Sequence, residues 1–113
     1  MASALHKFGH RRSSQRYEFE AIVEVSRNGR RESFGKLFDI SRDGVGFDAD
    51  PPLMVGQTYL LTIKDLASVS CRVVHNSGYS RHGAVLLISQ ARKLELENKI
   101  RGILKSGRHP AIF

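Results

Sequence analysis

The most constraining feature of the sequence is a pair of apolar segments on either side of Asn28-Gly29. In the first segment, which starts at Tyr17, apolar residues occupy every second position: Phe19, Ala21, Val23 and Val25. This two-residue period is typical of a strand with one buried face. Asn-Gly readily adopts the positive backbone angles of a two-residue hairpin turn. The sequence therefore predicts a hairpin whose returning strand covers about residues 31–40.

Further short apolar segments predict four more strands. They lie at about residues 45–47, 58–64, 70–75 and 83–88, and Pro51-Pro52 separates the first two of them. In the returning strand of the hairpin, Phe34, Phe38 and Ile40 are expected to face the core. Six short antiparallel strands favour a small closed barrel, because closure leaves no exposed sheet edge.

The period of the pattern changes near residue 90. Residues 90–105 are rich in Leu, Glu, Lys and Arg, with one apolar stripe at helical spacing formed by Leu96, Ile100, Ile103 and Leu104. This predicts a C-terminal helix that Gly107 ends and whose stripe packs on the sheet. A dimer face is the alternative use of the stripe. The predicted fold class is therefore all-β with a C-terminal helix, a six-stranded antiparallel β-barrel.

Length and charge limit the possible functions. A chain of 113 residues allows one domain with a modest core, and its net charge of +7 suggests an anionic partner. Residues 1–16 carry four cations and no acid, which leaves +3 for the rest. No apolar segment approaches the ~20 residues of a membrane span, and none follows the N-terminal cations as in a signal peptide. The single cysteine, Cys71, excludes an internal disulfide, so we expect a cytoplasmic protein.

Two short polar motifs point to a ligand. Arg12 and Arg16 lie four positions apart, a spacing that suits an anion such as a phosphodiester. Asp39 and Ser41 are two apart and are expected to point to the same side of an extended chain, while Gly44 allows a tight turn and close approach. The plain alternatives are a solvated basic tail and an Asx-type turn that satisfies its own backbone.

In this order the two motifs resemble those of the PilZ family, Arg-x-x-x-Arg followed by Asp/Asn-x-Ser-x-x-Gly. Here they read Arg12-Ser13-Ser14-Gln15-Arg16 and Asp39-Ile40-Ser41-Arg42-Asp43-Gly44. The 23 positions from Arg16 to Asp39 leave room for one hairpin, as the family pattern has it. The resemblance covers about residues 11–105 and implies a PilZ-like split barrel that binds cyclic di-GMP.

The resemblance also implies a role for each motif residue. Arg12 and Arg16 would grip the phosphates and guanine edges of cyclic di-GMP, and Asp39 would accept from guanine N1 and N2. Ser41 and Gly44 would complete the turn. Three further residues are secondary candidates for the site: Arg11, Gly46 and His75. An arginine at the position of Arg11 resembles relatives that bind a stacked pair of ligand molecules. His75 lies near where many relatives carry an aromatic residue.

The implied protein is a stand-alone bacterial second-messenger receptor. It would comprise a flexible leader at residues 1–10, a barrel with its helix at residues 11–106 and a short tail at residues 107–113. Cyclic di-GMP would order the N-terminal segment and alter a surface offered to an unidentified effector protein, in control of motility, polysaccharide or biofilm formation. We expect no cofactor, metal or catalysis, because the histidines lack metal spacing and no nucleophile motif is present.

Two other functions stay open. A basic small barrel could bind RNA or single-stranded DNA. Against it, Phe19, Phe34, Phe38 and Phe47 lie in core phase, so few aromatic side chains are left to stack on bases, and no specific nucleic acid is expected. The other alternative is a PilZ-like adaptor that acts only through protein contacts. The intact motifs argue against an adaptor that binds no ligand.

Overall fold

Six strands and one helix form the part of the chain that the computed structural model describes, residues 15–106 without the side chain of Phe19. The strands are β1 (Tyr17–Arg27), β2 (Arg30–Ile40), β3 (Gly44–Asp48), β4 (Thr58–Ile63), β5 (Ala67–Ser77) and β6 (Arg81–Leu86), and the helix is α1 (Gln90–Lys105). All strand pairs are antiparallel, and they close a barrel in the order β1-β2-β3-β6-β5-β4. The predicted barrel with a C-terminal helix is confirmed. The predicted leader, tail and Gly107 helix stop lie outside the described residues.

The β1–β2 hairpin turns where the sequence predicts. Asn28 and Gly29 have positive φ angles of 54° and 75°, and Arg27 pairs with Arg30 across the turn. Two successive positive φ angles match the right-handed twist of the flanking strands. The prediction of a two-residue hairpin is confirmed.

A bulge in β2 changes which side chains face the core. Ser33 and Leu37 are buried, whereas Phe34 is 52% exposed. The β2–β3 register shifts between Leu37 and Asp39, so Ile40 is also buried. An extra residue on one strand reverses the side to which the next residues point. The prediction that Phe34 faces the core is therefore wrong, and the one for Ile40 is confirmed.

Phe38, next to the bulge, is not a core residue either. Its side chain is only partly buried, and the Arg81 guanidinium carbon lies 4.1 Å from the centroid of its ring. Such an arrangement is a surface cation–π contact. The prediction of a core position for Phe38 is wrong for the same reason as that for Phe34, whereas Phe47 is fully buried as expected.

The helix is attached to the barrel through its apolar stripe. Leu96 and Ile100 are 4% and 0% exposed and belong to the barrel core, with Ile103 and Leu104 partly buried against it. Ser89 caps the helix by accepting a hydrogen bond from the Arg92 backbone N–H at 3.2 Å. The predicted packing of this stripe on the sheet is confirmed.

One histidine is built into the barrel interior. His82 is 1% exposed, and its ring stacks on Phe47 with centroids 5.4 Å apart. Its Nε2 accepts from the Leu53 N–H at 3.0 Å, while Nδ1–H donates to the Ser80 carbonyl at 2.6 Å. Burial lowers the pKa of His82, because desolvation disfavours the imidazolium. Only the neutral ring can accept at Nε2.

Candidate ligand-binding site

A row of four cross-strand neighbours on the outer face of the barrel forms the base of the candidate site. Asp39 on β2 pairs with Gly46 on β3, Gly46 with Gly83 on β6, and Gly83 with His75 on β5. Directly opposite residues point to the same face of a sheet. An acid and an imidazole therefore flank two positions that have no side chain.

The two glycines let the flanking side chains lie flat over the sheet. A Cβ on Gly46 would lie 2.9 Å from Asp39 Oδ1, and a Cβ on Gly83 would overlap the ring of His75. Any larger residue at either position would push the carboxylate or the imidazole away from the backbone. The glycines thus determine where both polar groups are held.

Arg16 joins the two sequence motifs. Its Nη2 donates to Asp39 Oδ1 at 2.8 Å, with 42% of the arginine side chain and 33% of the aspartate side chain exposed. Its Nη1 would be 3.8 Å from a Cβ on Gly44. The structure therefore brings the start of β1, the end of β2 and the start of β3 together at one surface.

Ser41 closes the turn between β2 and β3. Its Oγ accepts hydrogen bonds from the Asp43 and Gly44 N–H groups, both at 3.1 Å, and its own N–H donates to the Gly44 carbonyl at 2.8 Å. Ser41 is 1% exposed, unlike Asp39, because β2 ends at Ile40 and the alternation of sides stops there. Its observed contacts are those of a self-satisfying turn.

These residues line a groove of about 280 Å³ on the barrel surface. Arg16, Ser41 and Gly44 lie on one side and His75 and Gly83 on the other. Exposed Val74 and partly buried Val85 add apolar surface, and Arg72 pairs with Val85 on the adjacent outward row. The groove thus presents cationic and anionic hydrogen-bonding groups beside an apolar surface.

A second cavity of about 260 Å³ lies between α1 and the β4–β5 turn. Its two cationic side chains already have partners: Arg92 donates to the Ser68 carbonyl at 3.3 Å and Lys99 to the Leu66 carbonyl at 2.7 Å. The groove beside Arg16 is instead lined by residues of both sequence motifs, and it is the better candidate for a polar ligand.

Of the site residues predicted from the sequence, Arg16, Asp39, Ser41, Gly44, Gly46 and His75 meet at this surface. Arg11 and Arg12 lie outside the described residues. The sequence reasoning did not select Gly83 as a site residue. The sequence indicates it only weakly, as a single glycine within a predicted strand. Such a glycine often marks a point where a ligand or another part of the chain approaches the backbone closely.

A profile of the PilZ domain matches residues 10–103 of the 113-residue chain. The fold is a small closed β-barrel, and the profile match identifies its family: the chain belongs to the PilZ domain family. PilZ domains are binding domains, not catalytic ones. A comparison with curated proteins finds no match.

Between residues 15 and 106, no three His, Cys, Asp or Glu side chains are grouped as metal ligands would be. The helix in the same part of the chain lacks the length and apolar character needed to cross a membrane.

Proposed function

We propose that the chain is a receptor for cyclic di-GMP and has no catalytic activity. The observation that carries the proposal is the 2.8 Å pair between Arg16 and Asp39, which brings both family motifs to one groove. Membership of the PilZ family, a cyclic di-GMP-binding family, supports the choice of ligand.

The exposed groups suit the chemistry of this ligand. The Arg16 guanidinium can donate to phosphate oxygens or to guanine O6 and N7, and the Asp39 carboxylate can accept from guanine N1–H and N2–H. His75, flat on the sheet at Gly83, offers a stacking surface for a base. Ser41 supports the turn that holds Gly44 beside Arg16, and Gly46 leaves space for the Asp39 carboxylate.

The N-terminal segment completes the proposed site. Arg12 would add a second guanidinium four positions before Arg16, and Arg11 would bind a stacked second ligand molecule. Closure of this segment over the groove would change the surface that an effector protein contacts, an ordering transition of the kind that signalling proteins use. We propose this as the route from ligand to cellular response in a bacterial cytoplasm.

Calorimetric titration of the purified chain with cyclic di-GMP tests the proposal. We expect Arg16→Ala to remove about 1.5–3 kcal/mol of binding free energy, the value of a charged hydrogen bond, and so to weaken affinity about tenfold or more. Arg12→Ala should do the same. Asp39→Ala should also weaken binding, because guanine N1–H and N2–H would lose their acceptor.

Arg31→Ala is the matched control for the arginine variants. Arg31 is exposed and lies at the hairpin end of β2, roughly 25 Å along the strand from Asp39. The Arg31→Ala variant should bind cyclic di-GMP like wild type. Cyclic di-AMP should bind poorly, since adenine N1 is an acceptor facing the carboxylate. Wild-type affinity in both Arg16→Ala and Arg12→Ala would contradict the site assignment.

Single-stranded nucleic acid is the second candidate ligand, and the structure offers one observation in its favour. Phe34 and Tyr79 are 52% and 64% exposed, and the Arg31 guanidinium lies 4.7 Å from the Phe34 ring centroid. Binding of single-stranded nucleic acid to such a surface would be weakened by Arg31→Ala and would fall steeply with salt. Cyclic di-GMP binding that resists salt and the Arg31→Ala change favours the first proposal.

A further inference from the structure

The helix α1 contacts the candidate site through polar side chains on its inner face. Lys93 Nζ donates to Asp43 Oδ1 at 2.9 Å, and only 17% of the lysine side chain is exposed. Asp43 lies in the turn between Ser41 and Gly44, and its carbonyl accepts from the Leu86 N–H at 2.9 Å. Lys93 therefore connects the helix to the site turn.

One helical turn further on, Glu97 makes a second connection. Its side chain is 10% exposed, and its Oε2 accepts from the Tyr17 hydroxyl at 3.2 Å. Arg42 of the site turn lies 3.8 Å from its Oε1. Arg101 Nε donates to the Tyr17 hydroxyl at 3.1 Å and closes the cluster. A carboxylate at this depth is tolerated because several donors surround it.

These contacts reach both halves of the site. Arg42 and Asp43 are two of the three unspecified positions of the Asp-x-Ser-x-x-Gly motif, and Tyr17 directly follows Arg16. The apolar contacts of Leu96 and Ile100 already hold α1 on the barrel, as does the hydrogen bond from Lys99 to the Leu66 carbonyl. The Lys93 and Glu97 contacts do something more specific: they relate the position of the helix to the positions of Arg16 and the turn.

We propose that Lys93 and Glu97 are positioning residues that couple ligand binding in the groove to the docking of α1. This inference rests on the proposed cyclic di-GMP function. The two side chains hold the turn and the start of β1 in the geometry that binds ligand, so ligand in turn stabilises the docked helix. Such coupling is reciprocal by thermodynamic necessity.

The test compares Lys93→Met and Glu97→Gln with Lys99→Met, using cyclic di-GMP as the probe. The control removes a polar attachment of the same helix that does not touch the site. Titration calorimetry should show that Lys93→Met and Glu97→Gln each weaken binding by about fivefold or more. Lys99→Met should bind cyclic di-GMP like wild type. Urea unfolding of each free variant establishes that the chain is folded, and Lys93→Met serves alone if Glu97→Gln fails to fold.

Hydrogen exchange supplies a measurement that a purely structural role would not change. In wild type and Lys99→Met, cyclic di-GMP should slow exchange of the α1 amides; in the two coupling variants this ligand-dependent protection should be lost. Wild-type affinity and protection in Lys93→Met and Glu97→Gln would overturn the inference. Equal weakening in all three variants would also overturn it, since general helix docking would then be the cause. A wild-type chain that does not bind cyclic di-GMP would instead refute the proposed function.

Discussion

The Ser41 hydroxyl bonds to the backbone of its own turn. The side chain is buried, and its Oγ accepts hydrogen bonds from the backbone N–H groups of Asp43 and Gly44. That turn places Gly44 beside Arg16. The serine of the motif is therefore needed first for the shape of the turn, and any contact with a ligand would be additional.

We expect Ser41→Ala to lower the free energy of unfolding by about 1–3 kcal/mol, because two partly buried N–H groups lose their acceptor. Cyclic di-GMP affinity should fall with it, as the turn relaxes. Urea unfolding and calorimetry measure the two effects. Ser68→Ala is the control, since Ser68 is exposed and its bond to Thr62 lies at the surface. A loss of affinity in Ser41→Ala at full stability would mean that the hydroxyl binds the ligand directly.

Most residues of the candidate site belong to motifs that are visible in the sequence, but their contact partners are not. Arg16, Asp39 and Gly44 belong to spaced motifs, so the chain itself indicates them. Gly83 and the ring of His75 come together only because β5 and β6 pair in one register, which no local pattern reveals. The inward-facing Lys93 and Glu97 gave a signal that was not used: two charges on the same helix face as Leu96.

At the scale of elements, regular periods were informative and irregular positions were not. The hairpin and the helix follow from Asn28-Gly29 and from the apolar stripe, and both are confirmed. The prediction that Phe34 and Phe38 face the core was wrong because it assumed one unbroken alternation up to Ile40. The bulge between Leu37 and Asp39 interrupts that alternation. A bulge changes strand phase by one residue, and its position depends on how β3 pairs with β2.

Gly102 is an element-scale site for stabilisation. It lies in α1, is exposed, and a Cβ built on it would have no atom within 4 Å. We expect Gly102→Ala to raise the free energy of unfolding by about 1 kcal/mol, because alanine loses less backbone freedom in a helix. Thermal and urea unfolding measure the change.

Gly29→Ala is the matched control for that substitution. It makes the same chemical change in equally open space, but Gly29 has a φ of +75° that alanine resists. It should destabilise the hairpin. If both variants shifted stability in the same direction, backbone conformation would not explain the difference between the two glycines.

At the scale of the whole molecule, His82 links stability to pH. Its folded-state pKa lies below the ordinary value of 6.5, chiefly through desolvation. The unfolded chain therefore binds the proton more readily, and stability falls as pH decreases below about 6.5. Urea unfolding at about pH 7.5 and about pH 5.5 should show this loss, and a non-titrating His82→Gln variant should show a smaller one. An equal pH dependence in both proteins would contradict the assignment.

The closed barrel has a consequence for the way in which other proteins recognise this one. Within residues 15–106, each of the six strands is already hydrogen-bonded to a neighbour on either side. Where these pairings run, an incoming polypeptide has no free main-chain hydrogen bonds to extend, and it cannot bind there by adding a strand to the sheet. An effector is expected to recognise side chains, so single surface substitutions should be able to separate its docking from the barrel's integrity.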